Sequence, residues 1–142
     1  MIRITSAPLD ASAELRRFIR AAGEGAVASF IGTVRSEGGV EMLTLDHYSG
    51  FTEKQIATLV DRLIAKHDLA AAAVVHRYGA MKPGETILFA ATAAPRRRAA
   101  LEALDSLVEQ LKTDAPFWKK ELRDGTEHWL EPPPAAAKKS RA

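Results

Sequence analysis

Between residues 111 and 121 the chain reads Leu-Lys-Thr-Asp-Ala-Pro-Phe-Trp-Lys-Lys-Glu, and Pro116 decides what that stretch can become. Proline has no amide hydrogen and drives the residue before it, here Ala115, out of the helical region. Upstream, Leu101, Leu104, Leu107, Val108 and Leu111 recur at helical spacing. That helix must therefore end near Lys112, and Phe117 onward continues as an extended segment carrying Lys119. On one unbroken helix the two lysines, seven residues apart, would share a face two turns apart. Across a proline break, tertiary structure alone decides whether they meet. Brought together beside Phe117 and Trp118, two amines form an anion-binding or proton-transfer site. Held apart, they are a solvated helix end and a lysine-rich edge strand.

Taken in order, the rest of the chain alternates strands with helices. Ile2 and Ile4 alternate with polar residues as in a short first strand. Asp10 or Ser12 caps a helix with Leu15, Phe18, Ile19 and Ala22 on one face, ended by Gly23 and Gly25. Gly25–Arg35 reads as a strand apolar enough to be covered on both faces, with Gly32 marking a bulge or a close backbone approach. Arg35 closes it before a Ser36–Gly39 loop, as an oxyanion or phosphate contact or as a surface arginine in a hairpin turn. Glu41–Tyr48 alternates cleanly and is expected to pair antiparallel with the preceding strand, and its His47 reads as a satisfied structural histidine or as a catalyst. Thr52 and Gln55 have capping-box spacing ahead of the Ile56, Leu59, Val60, Leu63, Ile64 stripe of a core-facing helix. Ala70–Tyr78 and Thr86–Thr92 read as two strands joined through a Lys82–Glu85 turn.

Pro95 opens the long helix and Arg96, Arg97 and Arg98 fill its first turn. Positive charge there opposes the helix dipole, which points either to a bound anion or to a basic turn screened by solvent. Phe117–Arg123 and Thr126–Leu130 flank Asp124-Gly125, a two-residue hairpin signal. The order β-α-β-β-α-β-β-α-β-β predicts an α+β domain of mostly antiparallel strands with about three packed helices. Residues 1–130 form its one domain, and 131–142, rich in Pro, Ala and Lys, are expected to be a disordered tail.

Several function classes fall away. The chain has no cysteine, which excludes a disulfide, a thiolate nucleophile and a cysteine-bound metal or cluster. His47, His67, His76 and His128 lack short metal-ligand spacing, so no metal and no cofactor are expected. No GxGxxG or phosphate-loop pattern occurs. A net charge of +2 over 142 residues does not indicate a broadly basic nucleic-acid surface, although the pI near 9.0 keeps that class open. There is neither an apolar run of membrane-span length nor a signal-peptide pattern, so a cytoplasmic protein with no membrane partner is expected.

Together, the order and spacing of several segments resemble one family, the large catalytic subunit of molybdopterin synthase. They are Gly25-Ala26 through Phe30-x-Gly32-x-Val34-Arg35, then Leu45-x-His47-Tyr48-x-Gly50-x-Thr52-Glu53-Lys54, His76-Arg77-x-Gly79 and Pro83-Gly84-Glu85. Leu111–Glu121 completes the set and is its most specific member. The resemblance, over residues 23 to 130, implies an α+β fold with a hammerhead-like subdomain and a homodimer within a heterotetramer. It implies a small ubiquitin-like partner whose Gly-Gly C-terminus, as a thiocarboxylate, delivers sulfur to cyclic pyranopterin monophosphate to make molybdopterin. A chain without a thiol would then receive its sulfur from outside. By matching position, Lys112 and Lys119 are the implied catalytic lysines. Thr33, Val34, Arg35, Lys120 and Glu121 are implied substrate contacts. Arg96 and Arg97 match a His-Arg pair of the family, so the resemblance carries an anion-binding role there rather than an acid–base one. The rival from another class is a non-enzymatic module holding RNA or an acidic protein tail with the same basic residues.

Overall fold

The computed structural model of the protein describes residues 1–130; the tail expected over 131–142 lies outside the described residues. Eight strands and three α-helices follow the order β1 (Ile2–Thr5), α1 (Ala11–Ala22), β2 (Ala26–Thr33), β3 (Val40–His47), α2 (Phe51–His67), β4 (Ala71–Arg77), β5 (Gly79–Met81), β6 (Thr86–Ala94), α3 (Arg97–Asp114), β7 (Phe117–Arg123) and β8 (Thr126–Leu130). They build two four-stranded sheets, ordered β1-β4-β6-β2 and β5-β3-β7-β8. β1 runs parallel to β4, and every other described pairing is antiparallel. The α+β class expected from the sequence is the one observed.

Alanine at alternate positions lets the first sheet be covered on both faces. Ala72, Val74, Ala90 and Ala94 pack with Ile56, Leu59 and Leu63 of α2 and with Ala100, Ala103 and Leu107 of α3. Ala73, Val75, Phe89, Ala91 and Ala93 turn the other way onto Phe18 and Leu15 of α1. Short side chains on the sheet bring the helices close, and the longer residues on the helices fill the space between. Gly25 makes the tightest approach: a Cβ there would stand 2.5 Å from the Ala94 carbonyl oxygen, at a φ of +121°. Asp10, not Ser12, caps α1, its carboxylate accepting from the Ala13 amide at 3.1 Å.

Several expectations need correction. β2 and β3 do not pair as a hairpin. β2 pairs with β6 and β3 with β7, so the loop between them, including a 3-10 turn at Glu37–Gly39, carries the chain from one sheet to the other. Nor is β2 covered throughout: it is an edge strand, and Val27, Phe30 and Ile31 stay 37–47% exposed. The residue before α2 is Gly50, whose amide donates to Glu53 Oε1 at 3.0 Å; Thr52 is inside the helix and fully buried. Its hydroxyl serves a tertiary contact instead, which overrides the local capping preference. Finally, β5 is a three-residue strand inside what reads as a hairpin loop, and it joins the second sheet beside β3. The β4–β6 pairing itself holds, from Ala71↔Ala93 to His76↔Leu88. Arg96 rather than Pro95 stands at the α3 boundary, in extended conformation, with Arg97 and Arg98 inside the first turn.

Candidate active site

The proline break is where two layers are fastened together. Ala115 leaves the helix in extended conformation (φ −101°, ψ 107°) as Pro116 requires, while its amide still donates to the Leu111 carbonyl at 3.2 Å. Thr52 of α2 holds the junction: its hydroxyl donates to the Pro116 carbonyl at 3.0 Å and accepts from the Tyr48 amide at 3.1 Å. Leu111, Ala115 and Phe117 are buried beneath it. Lys112 in the last turn of α3 and Lys119 on β7 are both exposed, one on each side of this pinned joint.

Alternation along β7 sorts the neighbouring residues. Phe117, Lys119 and Glu121 face one way, Trp118 and Lys120 the other. Phe117 stacks on the His76 ring at the end of β4, with centroids 3.9 Å apart and an 18° interplanar angle. His47, opposite Phe117 in the β3–β7 ladder, lies 4.6 Å from the Tyr78 ring, and its Nε2 is 3.9 Å from Glu53. Burial pushes His76 down to about 4, against the hydrogen bond to the Arg77 carbonyl, and Lys119 and His47 push it further the same way. His76 is therefore neutral at physiological pH. Its Nδ1 is 3.0 Å from that carbonyl, which can only accept, so Nδ1 carries the proton and Nε2 is left as an acceptor.

The other expected contacts divide. Lys120 is taken up on the far face of β7, with Nζ 3.3 Å from Glu127 and 5.2 Å from the centre of the Trp129 ring. Glu121 accepts from Arg123 at 2.5 Å. Thr33 ends β2 after a ladder irregularity at Gly32, Val34 is buried, and Arg35 is exposed with Glu37 4.0 Å away.

Register settles which of these groups share an end of the first sheet. His76, Leu88 and Gly32 stand in one row across β4, β6 and β2. The His76–Lys119 neighbourhood and the start of the Arg35 segment are thus two strands apart, about 10 Å. α3 folds back along the sheet, anchored where the Thr92 hydroxyl donates to the Ala100 carbonyl at 2.7 Å, and so returns Lys112 toward that same end. Arg96 and Arg97 are at the opposite end, since Ala94 pairs with Ala26 at the start of β2. Eight strand residues put them about 25 Å from Arg35 within one chain. There Pro95, Arg96, Arg97 and Arg98 line an open depression of about 460 Å³ at the helix N-terminus. Among the described residues no cluster of three or more His, Asp or Glu side chains fit to hold a metal ion occurs.

Reading the sequence missed His76, Thr52 and the Arg77–Glu85 ion pair as parts of this region. His76 and Arg77 stood in a quoted motif, but their partners lie in β7 and in the turn before β6, distances that no local pattern encodes.

The family model described as MoaE protein matches residues 4–114. The molybdopterin synthase catalytic subunit of Caulobacter vibrioides is 40% identical over 134 residues, covering 93% of this chain and 89% of that one. The molybdopterin biosynthesis MoaE protein from Burkholderia ambifaria superimposes with a TM-score of 0.81 at 33% identity, covering 100% of this chain and 98% of that one. Molybdopterin synthase from Staphylococcus aureus gives a TM-score of 0.81 at 28% identity, covering 90% and 95%. Two sheets, a proline-broken junction between two lysines, and agreement in sequence over most of the chain lead to one assignment: the chain belongs to the MoaE protein family.

Proposed function

We propose that this chain is the catalytic subunit of a molybdopterin synthase, a cytoplasmic sulfurtransferase. It takes sulfur from the thiocarboxylated C-terminus of a small ubiquitin-like partner and delivers it to cyclic pyranopterin monophosphate. The observation that carries the reading is the junction at Pro116. It fixes Lys112 and Lys119 on either side of a buried joint, toward the end of the sheet that also presents Arg35. Arg35 binds the anionic substrate by charge-assisted hydrogen bonds. Thiocarboxylate sulfur attacks an oxygen-bearing side-chain carbon of the pterin, and as the C–S bond forms the C–O bond at that carbon breaks, its oxygen leaving protonated as water or as the freed arm of the cyclic phosphate. Water then cleaves the resulting thioester, leaving the sulfur on the pterin and an ordinary carboxylate on the partner. Lys112 and Lys119 move protons and stabilise the negative charge that develops in these steps. Thr33, Val34 and Glu121 shape the rim of the site, and Lys120 supports it from the far face of β7.

Arg96 and Arg97 cannot reach this site within one chain, because the strands hold them at the other end. In the homodimer we propose, a second copy brings its Arg96 and Arg97 to the substrate's phosphate. The test is molybdopterin formation from purified chain, thiocarboxylated partner and cyclic pyranopterin monophosphate. Wild type is expected to form product, and Lys119→Ala and Lys112→Ala to lose about a hundredfold or more while remaining folded. Lys112→Arg, which keeps charge but changes geometry, is expected to fail as well. Full activity in both alanine variants would overturn the catalytic assignment. A complex that forms no product, with affinity falling steeply in salt, would favour a binding module for acidic tails or RNA.

A further inference from the structure

We propose that the Arg77–Glu85 ion pair is the positioning device for the segment Thr33–Arg35, setting where the Arg35 guanidinium stands; the inference rests on the reading of Arg35 as a substrate contact. Arg77 ends β4 and is buried, with its side chain 11% exposed, and its Nη1 donates to Glu85 Oε1 at 2.8 Å. The other oxygen of the same carboxylate accepts from the Lys82 amide at 2.6 Å. Glu85 thereby closes the turn Lys82-Pro83-Gly84-Glu85, whose own backbone bond runs from the Glu85 amide to the Lys82 carbonyl at 3.1 Å. Proline at the second position and Gly84 at φ +92° are what a type II turn requires.

This turn holds Val34. The Val34 amide donates to the Glu85 carbonyl at 2.9 Å, and the Gly84 amide donates to the Val34 carbonyl at 2.8 Å. Regular pairing of β2 is interrupted just before, between Gly32 and Thr33, so the backbone direction at Val34 is set by these two bonds. Arg35 follows directly. From Arg77 to Glu85 to the turn to Val34 the contacts are continuous, and they end one residue from the guanidinium.

Glu85 is 38% exposed, so water screens its attraction to Arg77 and the pair contributes little to stability. What the pair adds is direction. A single carboxylate bridges a fixed guanidinium and a turn amide, and it orients the carbonyl and the amide that Val34 uses. The Lys82 amide and the Arg77 guanidinium hold the Glu85 carboxyl below its ordinary value, so the pair stays charged at working pH. Among the described residues Arg77 Nε meets no acceptor, and the side-chain contact that the guanidinium makes is the one to Glu85.

The test uses the reconstituted synthase with thiocarboxylated partner and cyclic pyranopterin monophosphate, alongside amide hydrogen exchange on the same proteins. Glu85→Ala is expected to raise KM for the pterin about tenfold with kcat within about twofold, while Glu85→Gln, which keeps one acceptor oxygen but turns an NH2 donor toward the other donor, is expected to fall between wild type and Glu85→Ala. Exchange at the Val34 and Gly84 amides should speed up about tenfold in Glu85→Ala, with Leu59 and Leu63 of α2 unchanged. Glu85→Ala combined with Arg35→Ala should be no worse than Arg35→Ala alone. If Glu85→Ala unfolds because it strands a buried cation, the paired variant Arg77→Met/Glu85→Gln removes both charges and is expected to show the same shifts. Unchanged exchange at Val34, or losses that multiply in the double variant, would overturn the proposal. If Arg35→Ala alone left KM at the wild-type value, the reading of Arg35 as a substrate contact would fall, and with it the purpose of the clamp. Accelerated exchange at Val34 would still identify the clamp itself.

Discussion

At the scale of single residues, His76 is the group whose chemistry departs most from its ordinary behaviour. It is pressed against Phe117, next to Lys119 and His47, and burial first, then these neighbours, hold its pKa at about 4 instead of 6.5. Between pH 6.5 and 4 the unfolded chain takes up a proton at His76 that the folded chain refuses. Stability therefore falls as pH drops through that window, by up to about 3 kcal/mol at its lower end. Replacing His76 with Phe keeps a ring on Phe117 and removes the titration. Urea unfolding at pH 7 and at pH 4 should show the variant gaining on wild type as the solution is acidified; parallel curves would contradict the assignment. The sequence shows a histidine before an arginine and nothing more. That it is neutral follows from its burial, and that it lies beside Lys119 from a stacking contact across forty-one positions of chain.

At the scale of elements, the junction between α3 and β7 is fixed by a hydroxyl from α2. Thr52 is fully buried and satisfies both the Tyr48 amide and the Pro116 carbonyl, so Thr52→Val keeps the shape and orphans both groups. We expect a loss of about 2 kcal/mol in urea unfolding, restored by Thr52→Ser, together with reduced turnover because Lys112 and Lys119 lose their common anchor. Full stability in Thr52→Val would show that the bond does not hold the junction. The helix stripe and the proline break were legible in the sequence because both act locally. So was the last hairpin: Asp124 (φ +51°) and Gly125 (φ +73°) take the positive φ values that a two-residue loop joining β7 to β8 needs. Thr52 was misread because capping spacing is also local, and a tertiary partner outbid it. The expected β2–β3 hairpin failed for a related reason. Two adjacent strands with a glycine loop look alike whether they pair with each other or part into separate sheets, and the ladder irregularity at Gly32 with the 3-10 turn after it sends them apart.

At the scale of the whole molecule, the antiparallel register of β2 and β6 divides the basic residues into two groups. Arg35, Lys112 and Lys119 belong to one end of the first sheet, and Arg96, Arg97 and Arg98 to the other. The sequence offered five of these, all but Arg98, as candidates for one site and held no information on the distance between them, which the strand pairing supplies. In the homodimer proposed above, each chain would present the lysine half of a site at one end and the arginine half at the other, and two copies would complete each other. The most direct test is complementation between two damaged chains. One carries Lys119→Ala; the other carries Arg96→Ala and Arg97→Ala. Each alone should be inactive in molybdopterin formation. Co-expressed with different tags and purified through both, they form dimers in which one of the two sites is intact, and activity should return to about half of wild type. No recovery in a dimer shown to contain both chains would contradict a site shared between subunits and return Arg96 and Arg97 to a separate role.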